Sequence, residues 1–462
     1  MKKQNIAYPY IPNSDPRIKK SMLKEIGIRD AMDLYKDIPE KLKLNRELKL
    51  PEPILDEHSL RTHVDKLIGR NSSCKEYLNF LGSGCAQHYV PAVCDEINNR
   101  GEFLSAYVSD VYADHGKFQS IFEYCSLMGE LLDMDVLSIP LYDGGQAAAS
   151  SIRMASRING KHEVLIPKSM NIENKLIVKN YCKPELIIKE IEYDRKTGLL
   201  DLKDLKKNVS NKTSSIFIEN PTYLGMIENQ VDEINQIASN NNIELIVYTD
   251  PISLGILKPP KEYGATITCG DIQPLGMHMN GGGGQAGFIA TKDDMKYIRE
   301  FKDLMYGITE TVEKGEYGFA NVLFDRTLYG SREKGVEYSG TGNAIWGITA
   351  AVYLSLLGKK GIKEVGQLIR QMAIYTAKQI SEIDNVELVF ESPFFKEFVI
   401  NFDKTKKSVS QITNKLLDHK IFMGKDLNQE FPELGQSALF CVTECRTKAE
   451  IDYLKNALLK VI

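Results

Sequence analysis

The sequence predicts an α/β protein: a large domain on a mainly parallel sheet, followed by a small α+β domain. Three observations predict it. First, between residues 81 and 330, strand patterns such as Val164-Leu-Ile166, Ser215-Ile-Phe-Ile218 and Leu245-Ile-Val-Tyr248 are apolar on consecutive positions, as expected of strands covered by helices on both faces. Second, helical segments separate these strands, which implies crossover connections and parallel pairing. Third, beyond about residue 331 the pattern becomes long helices followed by strands. The 462 residues therefore divide into an N-terminal arm (1–80), a large domain (81–330) and a small C-terminal domain (331–462), a length with ample core.

The arm reads as mostly helical. Tyr8-Pro-Tyr-Ile-Pro12 is extended, because a residue before proline is pushed out of the helical region. Ser14 or Asp15 can cap a helix with Pro16 in its first turn and Met22, Leu23 and Ile26 on one face. Gly27 suits its exit. A short helix from Asp30 to Tyr35 stops near Asp37-Ile-Pro39.

In the large domain, apolar residues at 118, 121, 122, 125, 128, 131 and 132 form a helical stripe. Tyr142-Asp-Gly-Gly145 reads as a turn before an Ala-rich helix from Gln146 to Ser156. Strands follow at 164–166, 186–188, 215–218, 245–248, 266–268 and 287–290. In the small domain, Ala344 to Leu357 is an apolar helix ending at Gly358, and Ile362 to Ile383 is an amphipathic one. Strands at 386–390, 397–402 and 438–442 precede a last helix, which Thr447 can cap with Glu450 in box position.

Composition narrows the function. Fifty-eight basic and 62 acidic residues leave a formal net charge of -4, which argues against a dedicated nucleic-acid or anionic-membrane binder. The N-terminus lacks a signal-peptide apolar core. The longest apolar stretch, Trp346 to Leu357, is shorter than the roughly 20 residues a bilayer span needs. Eight scattered cysteines form no C-x-x-C pair, and no histidine is placed so as to suggest a zinc framework with them, so no metal site is expected. Free thiols suit a reducing cytoplasm.

The stretch from Tyr248 to Phe288 carries the chemistry. An apolar strand ends at Thr249-Asp250-Pro251. A second strand pattern, Gly264 to Asp271, leads into a loop, then into Gly281 to Gly284, and a strand resumes at Gln285. Asp250 at the end of a parallel strand faces the crevice where ligands bind. Its carboxylate can hold a pyridine nitrogen protonated, or simply cap the next turn. Gly144 and Gly145 precede a helix, where backbone N–H groups can face an anion; a tight turn explains them as well. Asn220-Pro221 follows another strand, and its amide can reach a ring oxygen or merely make a turn. This layout resembles the pyridoxal-phosphate (PLP) site of the fold-type-I, aspartate aminotransferase-like transferases. Such a site needs a lysine amine for its Schiff base. No lysine lies between Lys261 and Lys292, and the expected position, counted back from Gly281, falls near Pro274.

The chain further resembles subunit 1 (the α subunit) of two-subunit glycine dehydrogenase (decarboxylating), the P-protein of the glycine cleavage system. Stretches that carry the resemblance include Tyr10-Ile-Pro-Asn-Ser14, Phe80-Leu-Gly-Ser-Gly84 with His88-Tyr-Val-Pro91, and Ala106-Tyr107. They continue with Gln119-Ser-Ile-Phe-Glu-Tyr124, Asp250-Pro-Ile-Ser-Leu-Gly-Ile-Leu-Lys-Pro-Pro260, Tyr353 to Gly358, and Cys441-Val-Thr-Glu444 with Arg446-Thr-Lys448. Together they cover nearly the whole chain in order.

The resemblance implies a degenerate, lysine-less partner of a PLP-bearing subunit 2 in an α2β2 heterotetramer. That assembly decarboxylates glycine and passes the aminomethyl group to lipoylated H-protein. The chain is then an enzyme subunit inactive alone, with Gly144, Gly145, Asn220 and Asp250 as vestigial cofactor positions. Tyr107, His88 and Lys334 are candidates to contribute hydrogen bonds or positive charge to a shared cleft. Their structural alternatives are a packed tyrosine, a satisfied interior histidine and a solvated lysine. The loops 108–116 and 335–343 depart from the family pattern, and Gly281 to Gly284 replace its Phe-Gly-Gly-Pro. Two other readings therefore stand: a paralogous subunit acting on another amino acid, and a non-catalytic scaffold.

Overall fold

The computed structural model describes residues 8–104, 116–337 and 342–462. The chain forms two compact units, Met1–Ser72 and Ser73–Ile462. In the first, the helix Pro16–Ile26 starts where Asp15 accepts the Arg17 N–H at 2.7 Å and ends at Gly27 with φ 83°. Ser14 does not cap it; its hydroxyl accepts the Tyr8 N–H at 2.7 Å instead. A short 3-10 helix, Ala31–Tyr35, is capped by Asp30. A second α-helix, Glu57–Ile68, which the sequence reading left unassigned, is capped by Asp56. None of the described helices in this unit buries a residue.

In the second unit, seven strands form the main sheet among the described residues: Val136–Leu137 (β1), Glu163–Pro167 (β2), Ile187–Ile191 (β3), Thr213–Glu219 (β4), Glu244–Thr249 (β5), Ile267–Asp271 (β6) and Gly287–Thr291 (β7). Their order is β1-β7-β6-β5-β4-β2-β3. Pairing is parallel from β3 through β6, and β7 runs antiparallel to both neighbours. β2, β4, β6 and β7 are buried along their whole length, which explains the consecutive apolar residues at the centres of β2, β4 and β7. The parallel strands end together near Glu219, Thr249 and Asp271, and that common edge is where a crevice opens.

The helix Gly144–Asn159 crosses the sheet. The two glycines are its first turn, not a separate turn before it, because Asp143 caps it by accepting the Gln146 N–H at 2.7 Å. The two C-terminal helices read from the sequence are one element, Ala344–Ser381, bent at Gly358, where φ 58° and ψ -177° interrupt the helical backbone. A four-stranded antiparallel sheet of Glu387–Leu388, Glu397–Asn401, Ser437–Cys441 and Lys425–Asp426 follows. The last helix, Lys448–Val461, carries the Thr447–Glu450 capping box. No helix among the described residues is long and apolar enough to cross a membrane.

Candidate functional site

A small cavity of about 80 Å³ lies where the parallel strands end and the C-terminal sheet begins. Gly84, Asn174, Glu219, Tyr248, Asp250, Asp271, Pro274, Lys396 and Glu397 are among its lining residues. The strand ends deliver Glu219, Asp250 and Asp271, while Lys396 and Glu397 come from the start of a C-terminal strand. Four carboxylates and one lysine thus converge on one space.

Asp250 is paired. Its Oδ2 lies 2.5 Å from the Lys396 Nζ, with both side chains largely buried, and its Oδ1 accepts the Ile252 N–H at 3.0 Å. Burial pushes this carboxyl up, but the charges of Lys396 and His88 outweigh it and hold it below the usual carboxylate range. Burial disfavours the Lys396 ammonium, yet Asp250 overcomes that and holds it protonated well above the usual lysine value. Lys396 is therefore no nucleophile.

The helix N-terminus is also taken. The Gly144 N–H donates to Asp271 Oδ2 at 2.9 Å, and the Gln273 N–H donates to its Oδ1 at 2.8 Å. An internal carboxylate thus sits where glycine amides and the helix dipole favour an anion. Burial nevertheless pushes Asp271 up to about 7. Tyr248 closes over the same turn, for a Cβ on Gly144 would lie 2.2 Å from its hydroxyl oxygen, and one on Gly145 would lie 2.6 Å from Ile177.

The remaining carboxyls are held by the backbone. Glu219 accepts the Tyr223 N–H at 3.0 Å, and burial pushes it up to about 7. Glu397 accepts the Ser83 N–H at 2.7 Å and is raised by burial.

The other predicted residues are placed as follows. The Asn220 side chain is closed on Glu228, accepting its N–H at 3.1 Å and donating to its carbonyl at 3.3 Å, and it does not line the cavity. The His88 side chain is fully buried, with Nδ1 3.0 Å from Glu444 Oε2, and its Nε2 has no hydrogen-bond partner among the described residues. Lys334 is exposed in a short 3-10 helix. Tyr107 lies outside the described residues, as do 105–115 and 338–341. Both flanks of that second segment are pinned. Arg153 donates to the Val336 carbonyl at 3.0 Å, and Arg157 pairs with Glu337 at 2.6 Å. The Asn343 amide donates to the carbonyls of Tyr142 and Gln285 at 2.8 and 3.2 Å.

Sequence reasoning missed Lys396, Asp271, Glu219 and Glu397. The available signal was a Lys-Glu pair interrupting the apolar run from Phe394 to Ile400, but nothing local ties that pair to Asp250. Among the described residues no His/Cys/Asp/Glu group could hold a metal ion. The residues do not fit a bound PLP. Pro274 offers no amine, Lys396 neutralises Asp250, and Asp271 takes the Gly144 amide.

A family model described as glycine cleavage system P-protein matches residues 9–458. The chain is 37% identical over 465 aligned positions to the probable glycine dehydrogenase (decarboxylating) subunit 1 of Staphylothermus marinus, covering 99% of this chain and 98% of that one. Its fold is similar to the crystal structure of a glycine decarboxylase (P-protein) of the glycine cleavage system in inhibitor-bound form. The TM-score is 0.81 and the identity 28%, over 98% of this chain and 100% of that one. A sphingosine-1-phosphate lyase of Burkholderia pseudomallei shares the fold at a TM-score of 0.63 and 13% identity, over 92% and 94% of the two chains. The architecture is that of the fold-type-I transferases.

Proposed function

The chain belongs to the glycine cleavage system P-protein family, and from that membership we propose that it is the lysine-less subunit of a glycine decarboxylase whose PLP is held by a lysine of a partner subunit 2. The assembled enzyme, an α2β2 heterotetramer in the cytoplasm, releases CO2 from glycine and passes the aminomethyl group to lipoylated H-protein. The observation that carries this reading is the internal neutralisation of Asp250 by Lys396 beside Pro274. A chain whose one site lysine is tied up in an ion pair has no free amine for a cofactor, and contributes to catalysis through a surface shared with another chain. Its share falls to Tyr107 and to the segments 108–116 and 335–343, the latter pinned at both flanks.

The test is co-expression with subunit 2, followed by a glycine-dependent bicarbonate-exchange assay with lipoylated H-protein. Exchange by the assembled complex, and none by this chain alone, is expected. A properly assembled complex without exchange would sink the glycine reading and favour a paralogue acting on another amino acid. A second reading, a pure scaffold, is favoured by the closure of His88 on Glu444 and the exposure of Lys334. Tyr107→Phe and Lys334→Ala separate the two. A fall in turnover of roughly tenfold or more marks a lost transition-state contact, while unchanged turnover leaves the scaffold.

A further inference from the structure

We propose that Lys396 is a built-in cation opposite Asp250, that the pair clamps the C-terminal sheet to the ends of the main strands, and that the space left by truncating Lys396 accepts a small alkylammonium ion. The placement supports a clamp. Asp250 directly follows β5, and Lys396 directly precedes the strand Glu397–Asn401, so one 2.5 Å contact joins the two sheets. The backbone beside Lys396 is fixed as well. The Phe395 N–H donates to the Gly225 carbonyl at 3.1 Å, and a Cβ on Gly225 would lie 1.8 Å from the Glu397 carbonyl oxygen. The backbone that carries Lys396 is therefore held against the turn at Gly225.

Charge supports the same assignment. Asp250, Glu219, Asp271 and Glu397 line the cavity, and Lys396 is the one basic side chain among its described lining residues. Removing it leaves a buried carboxylate without its ion-pair partner, and breaking such a pair costs far more than replacing both members by neutral groups. A monovalent ammonium at the end of a short alkyl chain reproduces the atoms lost in Lys396→Ala. Because the readout is this chain's own stability, the outcome is independent of which reaction the complex performs.

The experiment is thermal unfolding of the full chain. Lys396→Met is expected to lower the midpoint by roughly 3–5 °C. Asp250→Asn with Lys396→Met, which keeps an acceptor for the Ile252 N–H, is expected to recover at least half of that loss. Simple addition of the two single effects would overturn the clamp. If Lys396→Met yields no soluble chain, the double variant decides: soluble folded protein supports the pair, and insolubility overturns it. Lys396→Ala is then titrated with n-propylammonium chloride against potassium chloride at equal ionic strength. A saturable rise in midpoint, absent from Asp250→Asn/Lys396→Ala, reads out the specific site. An equal response of the two variants, or none from Lys396→Ala, would overturn it.

Discussion

Glu219 ends β4 with its carboxyl buried, and burial pushes it from an ordinary 4.5 up to about 7. The folded chain therefore holds a proton that the unfolded chain releases. Its contribution to stability is fully present below the unfolded value of 4.5 and is lost as pH rises through about 7. Glu219→Gln removes that dependence. Relative to the variant, the wild-type chain should gain on the order of 2 kcal/mol between about pH 8 and about pH 5.5. Urea unfolding of both chains at the two pH values checks this, and a constant difference would reject it. Asp271 titrates in the same range but is present in both chains, so the difference isolates Glu219. Asp250 behaves oppositely, for its cation holds it charged. At this scale the sequence was partly legible. Asp250 and the missing lysine at Pro274 stand out from local order, since a strand end and a loop composition mark them. The neutralising partner does not, because Lys396 meets Asp250 only through tertiary folding. For the same reason, nothing near Asn220 announced that its amide would be spent on Glu228.

Several secondary elements were legible from a local signal at their ends, although the Asp56-capped helix Glu57–Ile68 was not. Gly27 in the left-handed region and the Thr447–Glu450 box are determined within one helical turn. Gly358 was read correctly as a break, but helix resumes at once beyond it, so the two predicted helices are one bent element. The short parallel pairing of Leu78–Asn79 with Ile421–Phe422 had no local signature, since each half is two residues long. The turn at Gly225 shows how firmly such long-range contacts are fixed. Its φ of 95° favours glycine, and an added Cβ would lie 1.8 Å from backbone of the facing strand. Gly225→Ala should cost about 4 kcal/mol or more, because neither backbone can yield without breaking pairing. Asn343→Ala is milder. It removes an amide that holds the carbonyls of Leu141, Tyr142 and Gln285 together, and should cost about 1–2 kcal/mol. Both follow from denaturant midpoints. A loss below about 1 kcal/mol for Gly225→Ala would mean that the strand Glu397–Asn401 is free to shift.

For the whole molecule, the location of the core decides what each unit can do alone. The buried apolar clusters of the described residues, from the set around Phe398 and Phe440 to that around Phe288 and Tyr353, draw only on residues from Leu78 onward. Residues 8–72 contribute none of them, and Ser14 is the one buried side chain described there. Their helices nevertheless carry apolar faces: Ile18, Met22 and Ile26 on one, Leu60, Val64 and Leu67 on the other, all exposed. A unit with no described buried apolar side chain cannot offset the conformational entropy of ordering roughly 65 residues. Residues 73–462 can. Deleting residues 1–72 should therefore leave a soluble chain whose unfolding midpoint stays within roughly 2 °C of the full-length protein. In the full-length chain alone, limited proteolysis should cut first within residues 8–72, because that backbone opens at little cost. Circular dichroism melts of both chains, with mass spectrometry of the early fragments, test the two statements together. An insoluble truncated chain, or first cuts beyond residue 73, would show that the N-terminal unit supplies stability its burial does not reveal.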